Sequence, residues 1–262
     1  MEAKSLFGQF LDNGKLEGSK FLRKMRSISR PGVVPPAFPQ DFSAFSKTLW
    51  NRVENYTMTS QERIVTLEHG IRYLEQNAIT GDFVECGVAA GGSTMAAVYT
   101  LMELGNTQRQ IYLYDTFAGM PPPSAKDVTH TGKPAQKRYD RKVKDGVSDF
   151  INIPLGVVRA NMDKTGYPME NVHFIEGKVE DTLPQSRHEQ IALLRLDTDW
   201  YESTKVELDI LFPRLAVGGV LIIDDYFRWM GQKDAVDDYM QKNRIRIFLC
   251  RVDTHSVMAI KQ

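Results

Sequence analysis

Apolar and polar positions change their period near residue 81 of this chain. Before it, apolar residues recur every three or four positions; after it, they gather in short continuous runs separated by helix-like stretches. In DFSAFSKTLWNRVENY (41–56), Phe42, Phe45, Leu49 and Val53 share one stripe, which predicts an amphipathic helix. Its apolar face needs a partner, supplied either by the core or by a second copy of the chain, a possible homo-oligomer through the N-terminal helices. A second helix follows, with Thr59 as N-cap and Glu62 three residues on as a capping box. Its stripe of Ile64, Leu67, Ile71 and Leu74 should pack on a sheet.

The later runs predict strands near 82–87, 110–115, 171–176, 191–197, 219–224, 244–252 and 255–261. Strands alternating with helices imply βαβ units and a parallel sheet. The last two runs are joined by a short polar turn around Asp253 and Thr254, so they form an antiparallel hairpin. The prediction is an α/β, Rossmann-like fold with a seven-stranded mixed sheet, a C-terminal antiparallel hairpin and an N-terminal helical cap. This is the outline of a class I methyltransferase. A doubly wound NAD domain lacks that hairpin and carries G-x-G-x-x-G, whereas the glycines here are Gly87, Gly91 and Gly92.

Composition narrows the partners. A length of 262 residues with 42% hydrophobic content supports one substantial core with an appendage. The expected division is an arm and helical cap over 1–58 and a sheet domain over 59–262. The formal net charge of zero offers no broad basic face for nucleic acid, so a small-molecule partner is expected. Cys86 and Cys250 are too few for a disulfide framework, which suits a reducing cytoplasm. No apolar stretch is long enough to span a bilayer, and the N-terminus has no signal-peptide pattern. Glu2, Asp12 and Glu17 argue against a transit peptide, so the first thirty or so residues read as an arm or cap helix, followed by a proline-rich connector at 30–40.

One interval is too long for a plain crossover. Between Asp115 and Asn171 only 152–165 supplies a helix, and the insertion at 118–150 is polar and rich in Pro, Gly and Lys. It reads as a lid over a site at the sheet edge, or as a solvated loop.

Three strand ends carry chemistry. In GDFVECGVAAGGSTMAAV, Gly87 permits a tight turn, Gly91 and Gly92 let a ligand approach the backbone, and Ser93 and Thr94 open a helix whose free amides favour a carboxylate or phosphate. The methionyl carboxylate of S-adenosylmethionine is such a group, with Glu85 placed to accept from its ammonium. Asp115, ending the second strand, suits the ribose hydroxyls of an adenosine, with Phe117 beside the base. Val179 and Glu180 are placed for the adenine edge, although a surface loop anchored by Leu183 explains them too.

The fourth and fifth strands end in LRLDTDWYEST and GGVLIIDDY. In the methyltransferase strand order these neighbour each other, so Asp197, Asp224 and Asp225 converge. Like charges so close raise one another's pKa, and a cation relieves that. Three hard oxygen donors without His or Cys suit Mg²⁺ or another divalent cation. The bland alternative is that these residues cap a loop and a helix starting near Ser203. Asp199 either completes the metal shell or acts as a base, and Arg195, if buried, should pair with Glu85 or another strand-end acid. His130, in the insertion, is a second candidate base; His69, His173, His188 and His255 read as structural or exposed.

ECGVAAGGST, YDTFAGMP, LRLDTDWYEST and IIDDY, in this order and spacing, resemble the macrocin O-methyltransferase family. The resemblance covers about 56–240 and includes the YTM lead-in, which brings Met58 to the donor side. It implies a metal-dependent S-adenosylmethionine enzyme that methylates a hydroxyl of a sugar-bearing or phenolic natural product, with metal at Asp197, Asp224 and Asp225 and a base at Asp199. It also looks like a relative of the catechol-type methyltransferases, but Trp200 stands where those carry their base lysine.

Overall fold

A computed structural model of the chain describes residues 38–144 and 147–262. The expectations for the N-terminal arm and most of the proline-rich connector lie outside the described residues.

Helix α1 (Ala44–Val53) begins where the Ser43 hydroxyl accepts from the Ser46 amide at 3.0 Å, and a 3₁₀ turn over Glu54–Tyr56 ends it. It is therefore shorter than the apolar stripe. Helix α2 (Gln61–Gln76) is capped by Ser60, not by Thr59. The amide of Thr59 is already held by the Thr57 hydroxyl at 3.2 Å, which keeps that residue in the preceding turn and moves the cap on by one.

Strands β1 (Asp82–Cys86), β2 (Ile111–Asp115), β5 (Val172–Glu176), β6 (Ile191–Leu196) and β7 (Leu215–Ile223) run parallel, and β9 (Val257–Ile260) pairs antiparallel to β7 and to β8 (Cys250–Arg251). The order β5-β2-β1-β6-β7-β9-β8 is the predicted seven-stranded mixed sheet with its terminal hairpin. β8 is much shorter than the run at 244–252 suggested. Ile245, Ile247 and Leu249 pack on the core, but their backbone forms no ladder until Cys250 meets Met258.

Between the strands lie α3 (Gly92–Glu103), α5 (Leu155–Asp163), α6 (Val179–Thr182), α7 (Tyr201–Leu211) and α8 (Met230–Lys242). Helices α1, α2, α3 and α5 bury one sheet face, and α6, α7 and α8 the other. Leu49 and Val53 of α1 lie in the first of these clusters, so the core of the same chain covers that stripe, and it does not by itself call for a second subunit.

The described residues of the insertion carry structure of their own. The insertion holds α4 (Gln136–Asp140) and a small hairpin of β3 (Val143–Lys144) and β4 (Val147–Ser148). Its fastening is Asp127, only 1% exposed, whose carboxylate accepts from the Tyr201 amide at 2.8 Å and from the amide and hydroxyl of Ser124. Asp127 thereby caps α7, which starts at Tyr201 and so before Ser203. Trp200 Nε1 donates to the carbonyl of Pro121 at 3.0 Å, and the Met230 amide to that of Val128 at 2.8 Å.

Candidate active site

The carboxyl ends of the five parallel strands open onto a cleft of about 520 Å³, with Tyr56–Ser60 on one rim and the insertion on the other. At its donor end, Gly87 has φ +84°, and a Cβ there would stand 2.2 Å from the carbonyl oxygen of Asp197. A Cβ on Gly92 would meet Tyr56 and Thr57 at 2.6 Å, so the segment carrying Met58 rests directly on the first turn of α3. Met58, Gly87, Ser93, Asp115, Val179 and Glu180 all line the cleft.

The other donor-side candidates stand behind it. Gly91 caps α3 in a left-handed conformation facing Val158, and the Thr94 hydroxyl donates to Glu85. Glu85 is 1% exposed and is turned to Arg195 and Thr94, so its carboxylate organises the floor beneath the cleft. Burial pushes its pKa up against the pull of both partners. Asp115 accepts from the amides of Val88 and Phe117 at 2.7 and 2.8 Å and of Ala89 at 3.2 Å, which braces the glycine turn and leaves little lone-pair capacity for ribose hydroxyls. Phe117 is buried with Phe174, its ring turned into the core.

The acidic end follows from register. Cys86, Leu196 and Ile223 are laterally aligned, so the residues just past β6 and β7 meet. Arg195 ties them together from below: Nη2 lies 2.6 Å from Asp224 and 3.0 Å from Asp197, while Nη1 takes Glu85 at 2.6 Å. Arg63 of α2 reaches the same group from the side, 2.5 Å from Asp224, 3.2 Å from Asp225 and 2.8 Å from Asp253. Burial opposes ionisation of Asp253, but the bond from Arg63 and two backbone amides hold its carboxyl down at about 2. Asp197, Asp199 and Asp225 go the other way: burial raises all three, with further push on Asp197 and Asp225 from Asp224 and on Asp199 from Asp225. The acids outweigh the guanidiniums that serve them.

Asp199 is buried in a left-handed conformation, φ +70°, and its Oδ1 has no hydrogen-bond partner among the described residues. A buried oxygen without a donor is expensive unless a ligand supplies one. Hard carboxylate donors, surplus negative charge and this orphaned oxygen fit a divalent cation in donor chemistry. They do not form a preset cage: Arg63 and Arg195 lie among the carboxylates, and among the described residues no three acidic, His or Cys side chains are grouped as a ready ligand set.

The histidines are arranged differently from expectation. His130 is exposed and is not among the residues lining the cleft; its ring lies 6.2 Å from that of His255. It is His255 that lines the cleft, with a buried Nδ1 lacking a partner among the described residues. Sequence reasoning also missed Arg63, Arg138 and Arg228 as cleft residues. Nothing in a solitary arginine on a helix advertises a site; the acid-rich strand ends were the only signal that cations had to come from somewhere.

A sheet of this order, a glycine turn at the end of β1 and a polar cleft across the strand ends define a class I S-adenosylmethionine-dependent O-methyltransferase. The chain belongs to the macrocin O-methyltransferase (TylF) family, whose sequence profile matches residues 40–261. It is 34% identical over 198 residues to the 8-demethyl-8-(2,3-dimethoxy-alpha-L-rhamnosyl)-tetracenomycin-C 4'-O-methyltransferase of Streptomyces olivaceus, covering 76% of this chain and 72% of the relative. To the demethyldecarbamoylnovobiocin O-methyltransferase of Streptomyces niveus it is 30% identical, with 85% of each chain covered. Among solved structures, the O-methyltransferase NovP shares the fold with a TM-score of 0.69 at 24% identity, over 97% of this chain and 99% of its own. The calicheamicin methyltransferase CalS11 has a TM-score of 0.58 at 19% identity, over 94% and 91% of the two chains.

Proposed function

We propose that this enzyme transfers the methyl group of S-adenosylmethionine to a hydroxyl of a sugar-bearing or phenolic natural product, with the help of a divalent cation. The observation that carries the reading is the acidic end of the cleft, where Asp197, Asp199, Asp224 and Asp225 stand with more charge than Arg63 and Arg195 offset. The acceptor class rests on the relatives, whose names specify a hydroxyl of a rhamnosyl-tetracenomycin, of demethyldecarbamoylnovobiocin and of mycinamicin III.

On this reading the turn at Gly87–Ala89 and Ser93 at the start of α3 receive the methionyl part of the donor, and Val179 and Glu180 border its adenine. Met58 closes over it from the rim. The acceptor oxygen approaches the sulfonium methyl in line, forming the new C–O bond as the C–S bond breaks, and its proton passes to Asp199. Its Oδ1, buried and without a hydrogen-bond donor among the described residues, is free to accept that proton. Asp197, Asp224 and Asp225 would hold the cation, whose chemistry there is to lower the pKa of the acceptor hydroxyl. Positioning between the two rims does the rest. The base lysine of catechol-type enzymes has no counterpart: Trp200 at that position is buried and bonded to Pro121.

Two measurements test the reading. Calorimetry should detect S-adenosylmethionine binding to the folded protein; its absence would end the proposal. A mass-spectrometric survey should then find chelator-sensitive methylation among glycosylated or phenolic natural products, and full activity in chelator would remove the cation from the account.

A further inference from the structure

Arg63 already brings a positive charge to the carboxylates proposed above as metal ligands. Its Nη1 lies 2.5 Å from Asp224 Oδ2 and 3.2 Å from Asp225 Oδ1, so a single guanidinium nitrogen straddles two neighbouring acids. Arg195 takes the other oxygen of Asp224 at 2.6 Å. Each oxygen of Asp224 therefore already accepts from an arginine. A divalent ion joining Asp224 to Asp225 through the oxygens that face Nη1 would meet the Arg63 charge at close range, where like charges repel strongly. Metal and Nη1 compete for the same oxygens.

The two arginines differ in how readily they can leave. Arg195 rises from inside β6, is almost wholly buried and also holds the buried Glu85, so its departure would strand a carboxylate in the core. Arg63 reaches in from the first turn of α2 and has a further acid of its own. Its Nε donates to Asp253 Oδ2 at 2.8 Å. Asp253 lies in the β8–β9 turn and is not one of the proposed ligands. Its Oδ1 accepts from the amides of His255 and Ser256 at 2.8 and 2.9 Å, and its Oδ2 also accepts from the Ser60 hydroxyl at 2.9 Å. A carboxylate braced in this way can keep Arg63 when the other contacts are given up, because a planar guanidinium pairs with one carboxylate through two parallel N–H bonds. Ser60 caps α2 and stays on Asp253 throughout, so the exchange leaves the Tyr56–Ser60 rim of the cleft in place.

We infer that Arg63 is a displaceable stand-in for the divalent cation: it partners Asp224 and Asp225 while the metal is absent, and withdraws onto Asp253 as the metal enters. The inference rests on the functional reading above and adds to it a residue that sets how tightly the metal is held.

The test is Mn²⁺ binding to chelator-treated protein saturated with S-adenosylhomocysteine, followed by electron paramagnetic resonance, together with a crystal structure of the Mn²⁺ complex. In that complex Arg63 Nη1 should have left Asp224 and Asp225 while its guanidinium remains on Asp253. Arg63→Met should bind Mn²⁺ about tenfold or more tightly than wild type, the scale of coupling between two ligands that exclude each other. Asp253→Asn weakens the place to which Arg63 withdraws, so it should lower Mn²⁺ affinity, and that loss should disappear when Arg63→Met is combined with it. A loss of equal size in both backgrounds is the bare effect of removing a negative charge and overturns the inference. Mn²⁺ bound with Arg63 still on both carboxylates, or an Arg63→Met protein that binds the ion no better than wild type, overturns it too. Wild-type protein that holds S-adenosylhomocysteine but no Mn²⁺ would instead overturn the cation in the functional reading beneath it.

Discussion

Arg195 and Glu85 face each other across the β1–β6 ladder at 2.6 Å, with both side chains almost wholly out of water. The second half of the same guanidinium holds Asp224 at 2.6 Å. The strand that supports the donor turn is thereby fastened to the strand that carries the acidic cluster. Burial opposes the charge on Arg195, but Asp224, Asp197 and Glu85 together raise its pKa. Removing it strands buried carboxylates. Arg195→Met is expected to lower stability by about 3–5 kcal/mol, read from the urea midpoint, because breaking a buried pair leaves the remaining charge uncompensated. A change below about 1 kcal/mol, the scale of an exposed pair, would show that this pair is not what joins the two strands.

Glu207 of α7 gives the fold a pH dependence. It is fully buried, and its Oε1 lies 2.8 Å from the Thr198 hydroxyl, between the two acids of the β6 tip. Thr198 is also 2.8 Å from the Ser203 hydroxyl, which donates to the Trp200 carbonyl at 3.1 Å. The Thr198 hydroxyl donates to Glu207 and pulls its pKa down, but burial outweighs that pull. Burial raises its pKa from 4.5 to about 8. Because the folded value is the higher one, this contribution is complete below about 4.5 and is lost as pH rises through about 8. The melting temperature should therefore fall from pH 5 to pH 9, and Glu207→Gln, neutral throughout, should flatten that fall. An unchanged profile in the glutamine variant would remove Glu207 as its source.

Gly87→Ala should damage the donor turn selectively. The positive φ disfavours any side chain, and the added Cβ would collide with the Asp197 carbonyl at the tip of β6. Either the turn or the acid-bearing loop must move. The expected outcome is a folded protein whose S-adenosylhomocysteine affinity drops at least tenfold by calorimetry; wild-type affinity would mean the turn does not hold the donor.

Much of this was legible in the sequence because period and chemistry coincided there. The stripe at Ile64, Leu67, Ile71 and Leu74 is buried as written, and the polar turn at Asp253 does make a hairpin. The meeting of Asp197 with Asp224 followed from strand order alone. What failed was side-chain direction. Glu85 looked available to a ligand until Arg195 and Thr94 claimed it, and Phe117 turned into the core instead of along the cleft. Strand ends fix a residue's position but not the competition for its lone pairs. The insertion resisted reading for another reason: its order comes from single tertiary bonds, above all Asp127 to the Tyr201 amide, which leave no periodic trace.

Binding of a divalent cation by the carboxylates at the tips of β6 and β7, as proposed above, can be measured without an acceptor. Chelator-treated protein saturated with S-adenosylhomocysteine should be titrated with Mn²⁺ and followed by electron paramagnetic resonance. A single Mn²⁺ site per chain is expected, displaced by excess Mg²⁺ and lost in Asp197→Asn and Asp224→Asn variants that still bind S-adenosylhomocysteine. A folded wild-type protein that binds no Mn²⁺, or variants that bind it as well as wild type, would show that these carboxylates hold no metal.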